Sequence, residues 1–162
     1  MCINALAPFI LNGRLRPLLE RSPHADRYVV NVSAMEGKFY RWKQPTHPHT
    51  NMAKAALNML TKTSAEDCAR SGIYMNSVDT GWINDENPLP TARRIAEDHG
   101  FQTPIDEVDA ASRILDPVLS GIATLRGERS RDKGSGSIED DPKQAKEPIF
   151  GKFLKDYAPT EW

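Results

Sequence analysis

Cysteine is scarce in this chain. Cys2 and Cys68 are the only two in 162 residues, without the spacing of a thiolate metal site or a redox pair, and too few to staple a secreted scaffold. That usage fits a reducing, cytoplasmic setting, and no metal is expected. Long hydrophobic runs are missing as well. The longest, Ala5-Leu6-Ala7-Pro8-Phe9-Ile10-Leu11, is too short to span a bilayer and has no basic stretch before it, so neither a transmembrane helix nor a signal peptide is expected. Nor does charge of one sign accumulate. Lys and Arg number 21 against 22 Asp and Glu, and the sequence pI near 6.4 leaves no electrostatic footprint for nucleic acid or an anionic membrane.

What is present suits one domain. With 39% hydrophobic and 27% charged residues, the chain is long enough to bury a sizeable core, and a single domain over 1–162 is the expectation. Apolar residues Leu6, Phe9, Ile10, Leu15, Leu18 and Leu19 recur at helical spacing from Asn4 to Arg21, with Pro8 tolerable in a first turn. After the turn cluster Ser22–Asp26, Arg27-Tyr28-Val29-Val30-Asn31-Val32-Ser33 is short, apolar and β-branched, as a buried parallel strand should be. The connection Met35–His49 holds Tyr40, Trp42, His47 and His49 among Gly37, Pro45 and Pro48, a composition that suits a ligand-facing loop.

A long helix is expected over Asn51–Arg70, with Met52, Ala55, Ala56, Met59 and Leu60 inward and an end at Ser71-Gly72. Ile73–Val78 reads as a second strand that turns out through Asp79-Thr80-Gly81-Trp82. Thr91–His99 reads as a short exposed helix. Asp106-Glu107-Val108-Asp109 opens a further one, where Ala110, Ala111, Ile114, Leu115, Val118, Leu119, Ile122 and Ala123 continue a buried stripe that Pro117 can kink. Arg126–Glu147 is charged and Gly/Ser-rich, a flexible excursion. Pro148–Phe153 reads as a last strand before a polar tail. Helix and strand alternation of this kind makes an α/β fold, a partial doubly wound, Rossmann-like sheet of about three parallel strands flanked by helices. A dinucleotide-binding fold of that type begins with a glycine-rich turn whose helix holds a pyrophosphate, and no such fingerprint occurs in these residues.

Four segments in order resemble the C-terminal half of the short-chain dehydrogenase/reductase family: Asn4-Ala5-Leu6-Ala7-Pro8-Phe9, Asn31-Val32-Ser33-Ala34-Met35-Glu36-Gly37, Lys54-Ala55-Ala56-Leu57 and Asn76-Ser77-Val78-Asp79-Thr80-Gly81. The resemblance implies a hydride transfer between NAD or NADP and a carbonyl or alcohol carbon. Ser33 matches the family's serine, which polarises the oxygen, Lys54 its lysine at the cofactor ribose, and Asn4 its asparagine. Asp79, Thr80, Gly81 and Trp82 lie where the family's loop passes the nicotinamide, with Thr80-Gly81 in place of Pro-Gly. Thr50 stands where the tyrosine belongs. A tyrosine begins near ~10 and an adjacent ammonium can lower it, whereas an aliphatic hydroxyl is far too basic for general acid–base work. His47, His49 and Tyr40 are the nearby groups able to donate a proton instead. Ser33 and Lys54 are expected to converge at the carboxyl rim of the sheet. The residue that selects NAD or NADP lies in the family's other half.

Three functions are compatible with this reading. One is an oxidoreductase acting on a small carbonyl or alcohol, with the glycine-bearing half supplied by another chain or by upstream residues; alone, the chain should hold dinucleotide poorly. The second is a non-catalytic module that associates as a homo-oligomer through helices 4–21 and 51–70, as the family's helices do. The third is a truncated gene product whose first retained strand has an unpaired edge.

Overall fold

A computed structural model of the chain describes residues 1–83, 89–100, 103–127 and 147–162. A π-helical turn, Cys2–Leu6, runs into α1, Ala7–Glu20. β1 (Arg27–Ser33), a short 3-10 turn (Met35–Gly37), α2 (Pro48–Arg70), β2 (Ile73–Asp79), α3 (Leu89–His99) and α4 (Glu107–Leu125) follow, then β3 (Phe153–Lys155) and β4 (Ala158–Thr160). The excursion expected over 126–147 falls, apart from Arg126, Gly127 and Glu147, outside the described residues.

The sheet order is β1-β2-β3-β4. β1 and β2 pair in parallel along their whole length, from Arg27 opposite Ile73 to Ser33 opposite Asp79, and β3 joins β2 in parallel at Ser77–Asp79. The α/β class and the three parallel strands are as the sequence implied. The third strand starts later than expected, because Asn76 takes over the pairing ahead of it. Its side chain donates to the Ile149 carbonyl at 2.8 Å and accepts from Lys152 N–H at 3.1 Å, while Gly151 turns at φ 64°, a left-handed position that suits glycine. The polar tail is also a strand: β4 returns antiparallel to β3, making the sheet mixed and four-stranded. Asp156 and Tyr157 both take positive φ in the turn between them, the geometry of a two-residue hairpin. Asp156 is ion-paired to Arg113 of α4, and the Tyr157 hydroxyl donates to Asp109 at 2.8 Å. Those partners hold Asp109 and Asp156 below the usual carboxylate range.

The helices begin earlier or face differently than their apolar spacing suggested. α2 starts at Pro48, since proline has no N–H to lose at a first helical position. α3 begins at Leu89 rather than Thr91. α4 is capped by Asp106, whose carboxylate accepts from Asp109 N–H at 2.8 Å, and it continues through Pro117. The inward residues of α2 are Ala53, Leu57, Asn58, Thr61, Ala65 and Cys68, whereas Met52, Ala56 and Met59 are exposed. In α4 the inward set is Ala110, Pro117 and Gly121, with Ala111, Leu115 and Leu119 exposed. Gly121 packs so closely on Tyr28 of β1 that a methyl group there would lie 2.5 Å from the ring. No residue of α1 is buried.

Hydrogen bonds explain why apolar spacing misplaced the α2 face. Thr61 Oγ1 accepts from Asn31 Nδ2 of β1 at 2.9 Å and from Ser77 Oγ of β2 at 2.8 Å, and donates to the Leu57 carbonyl at 3.0 Å. Asn12 of α1 extends the chain by donating to Asn31 Oδ1 at 3.1 Å. Buried polar groups with such partners are tolerated where unpaired ones are not. The apolar core proper is Ala65, Cys68, Ile73 and Met75, with Leu19, Val29 and Phe150 against it, and burial pushes the Cys68 thiol up. Among the described residues no helix is long and apolar enough to cross a membrane.

Candidate functional site

The carboxyl end of β1 gathers part of the expected constellation. Ser33 is 3% exposed, and its hydroxyl donates to Asn58 Oδ1 of α2 at 2.5 Å. Strand alternation puts Asn31 and Ser33 on the face covered by α2 and exposes Val32 between them. From α2 the Lys54 ammonium reaches the Val32 carbonyl at 2.9 Å. Serine and lysine therefore meet the same strand end, the serine from within and the lysine from the rim.

Gly37 makes this approach close. A methyl group on it would lie 2.5 Å from the Lys54 carbonyl carbon and 2.7 Å from Asn58 Nδ2, so the turn after β1 rests directly on the Lys54–Asn58 turn of α2. Thr50, four residues before Lys54, is half-buried in the first turn of α2. Its backbone N–H and that of Asn51 both donate to the His47 carbonyl, at 3.1 and 3.2 Å. His47 and His49 are exposed and meet edge to face at 6.2 Å.

The second strand end supplies the other expected segment. Asp79 and Thr80 are buried. Asp79 accepts from Gly81 N–H at 2.8 Å and from the Lys155 ammonium at 3.2 Å, closing an Asx-type turn. Gly81 takes φ 79°, and a Cβ there would collide with Ile105. Trp82 beyond it is exposed. Asn4 does not cap a helix: it is exposed within the π-helical turn Cys2–Leu6, which packs against α2.

Two residues of the site escaped the sequence. Asn58 accepts the hydrogen bond of the Ser33 hydroxyl, and Lys38 is 1% exposed. The Lys38 ammonium sits 4.0 Å from the centre of the Phe153 ring, donates to the Tyr40 hydroxyl at 3.1 Å, and bonds the Glu161 carbonyl. Such an ammonium favours the phenolate, and its hydrogen bond holds Tyr40 below the ordinary phenol range although the ring is exposed. A lone lysine two residues from a tyrosine carries no signal by itself; its partners lie on β3 and on β4 with the residue after it, and the sequence announced only the first of these strands.

A family model described as enoyl-(acyl carrier protein) reductase matches residues 1–118. The chain belongs to the short-chain dehydrogenase/reductase family. An uncharacterized protein of Acanthamoeba polyphaga mimivirus is 35% identical over 122 residues, 72% of this chain and 25% of that protein. The Pseudomonas aeruginosa RhlG/NADP active-site complex superimposes with a TM-score of 0.53 at 25% identity, over 69% of this chain and 48% of that one. NADPH-bound carbonyl reductase from chicken fatty liver superimposes with a TM-score of 0.53 at 20% identity, over 98% of this chain and 54% of that one. The chain thus spans about half the length of these solved relatives and a quarter of the viral one.

Against a nicotinamide dinucleotide, the residues of this short-chain dehydrogenase/reductase segment fit one end. The Lys54 ammonium at the rim of β1 and the Asp79–Gly81 turn at the rim of β2 suit a ribose and its attached ring. No glycine-rich turn in the sequence suits the pyrophosphate.

Proposed function

We propose that this chain is the nicotinamide-side part of a NAD(P)-dependent oxidoreductase that interconverts a carbonyl and an alcohol on a small substrate. When bound, the cofactor supplies or accepts the hydride. The observation that carries the reading is the Lys54 ammonium held 2.9 Å from the Val32 carbonyl, at the end of the strand that bears Ser33, within the segment matched by the family. Lys54 orients the ribose, and the Asp79–Gly81 turn with Trp82 walls the ring. Ser33 keeps Asn58 in place; for it to polarise a substrate oxygen, its hydroxyl must turn from Asn58. Thr50 offers a hydrogen bond but no acid. Proton transfer falls to Tyr40, because Lys38 lowers its phenol, with His49 on the adjoining turn as the other donor of suitable type.

The direct test is oxidation of NADH and of NADPH by the full chain over a panel of small aldehydes and ketones, each compared with Lys54→Met. Turnover lost in the variant supports the reading. Equal turnover in the two would end it. Because the pyrophosphate cradle is missing, dinucleotide affinity of the chain alone should be weak, and the glycine-bearing part, from another polypeptide or from adjoining sequence, should raise it.

A second reading, a homo-oligomeric association module, rests on α1. Phe9, Ile10, Leu11, Leu15 and Leu18 are all exposed on it, more contiguous apolar surface than a single isolated helix face ordinarily shows to water. Sedimentation discriminates: tight self-association without any nucleotide binding favours the module, and a lone monomer removes it.

A further inference from the structure

Between the turn after β1 and the first turn of α2 lies a cleft of about 270 Å³, walled by Met35, Glu36, Arg41, Trp42, Lys43 and His47 among others. Its charge runs against that of the chain. Arg41 and Lys43 face one carboxylate, Glu36, in a molecule whose formal net charge is -1. Lys43 is fixed there by donating to the Glu36 backbone carbonyl at 2.5 Å. Trp42 beside it is 82% exposed, and no core contact explains an indole in water. His47 holds a left-handed backbone at φ 57°, an arrangement costly for a residue other than glycine and concentrated at ligand sites. The first turn of α2 that borders the cleft contains no acidic residue, so the positive end of the helix dipole adds to the same field.

We propose that this cleft binds a small planar compound bearing a carboxylate, the guanidinium of Arg41 and the ammonium of Lys43 taking the carboxylate and the Trp42 ring stacking on its flat body. A guanidinium fork matches a carboxylate in two hydrogen bonds, and an aromatic face supplies apolar area to a planar partner. The volume of about 270 Å³ lies slightly below the usual range for drug-sized ligands and suits a compact one. That the compound also carries the reacting carbonyl rests on the oxidoreductase reading; the carboxylate and the planar body do not.

The test uses the full chain without nucleotide, titrated with 4-formylbenzoate and with its uncharged counterpart 4-methylbenzaldehyde, followed by the NMR signals of the Trp indole N–H groups. Saturable binding of 4-formylbenzoate that moves the Trp42 signal is expected, with affinity about tenfold above that of the neutral aldehyde. Arg41→Gln should abolish that preference while leaving the neutral aldehyde unaffected, and Trp42→Ala should weaken both. Equal affinity for the two compounds, an unchanged preference in Arg41→Gln, or movement of Trp82 or Trp162 in place of Trp42 would overturn the inference. Since no hydride is transferred, binding here with no turnover defeats the oxidoreductase reading alone, and turnover of carbonyl compounds without carboxylate preference defeats this inference alone.

Discussion

Helices α1 and α2 carry similar apolar content and meet opposite fates. α2 packs onto β1 and β2 and buries six residues, two of them Asn58 and Thr61; α1 is richer in large apolar side chains and buries none. In α2 the buried face is chosen by hydrogen bonds to Asn31, Ser33 and Ser77, and its methionines are left outside. In α1 the charged anchor is at the edge: Arg16 pairs with Glu20 and with Asp67 of α2, and it holds both carboxylates below their usual range. Polar complementarity positions the site, while the large apolar side chains of α1 stay exposed.

The largest effect should come from the tightest contact with α2. Gly37→Ala sets a methyl group against the Lys54 backbone, and chemical denaturation should show a loss of about 3 kcal/mol or more. An unchanged midpoint would mean that the turn does not rest on α2. Thr61→Val keeps the shape and strips the hub, leaving Asn31 Nδ2 and Ser77 Oγ without their acceptor; about 2 kcal/mol should be lost. Phe9→Ser and Leu15→Ser on α1 should shift the stability of the monomer by no more than about 0.5 kcal/mol, yet weaken any self-association seen by sedimentation. A large destabilisation in either would put α1 in the core and erase the contrast.

The smallest effect is a pH displacement. Tyr40 donates only as the neutral phenol, and Lys38 lowers its pKa from the ordinary 10.0. Carbonyl reduction should therefore fall with rising pH at a lower value than an unassisted phenol would give. Lys38→Met should move that limb upward, and Tyr40→Phe should remove it. A limb that stays in place in Lys38→Met would assign the proton elsewhere.

Much of this was legible in the sequence. β1 matched residue for residue because an apolar, β-branched run between turn clusters has few alternatives, and the acids between Asp106 and Asp109 announced the start of α4. The inward faces were not legible, since Asn58 and Thr61 are buried only because Asn31, Ser33 and Ser77 lie across from them. β4 escaped because Asp156-Tyr157 is a hairpin turn without glycine, held by Arg113 and Asp109 of α4. Lys38 escaped with it, its burial depending on the hairpin that covers it.

The most direct measurement separates the two ends of the cofactor. The full chain is titrated with reduced nicotinamide mononucleotide and, separately, with AMP, following backbone amide signals by NMR. The nicotinamide compound should move Lys54, Thr80 and Gly81, Lys54→Met should abolish the response, and AMP should have no effect at these positions. Movement by AMP at the same residues, or none by the nicotinamide compound at any concentration, would contradict the nicotinamide-side reading.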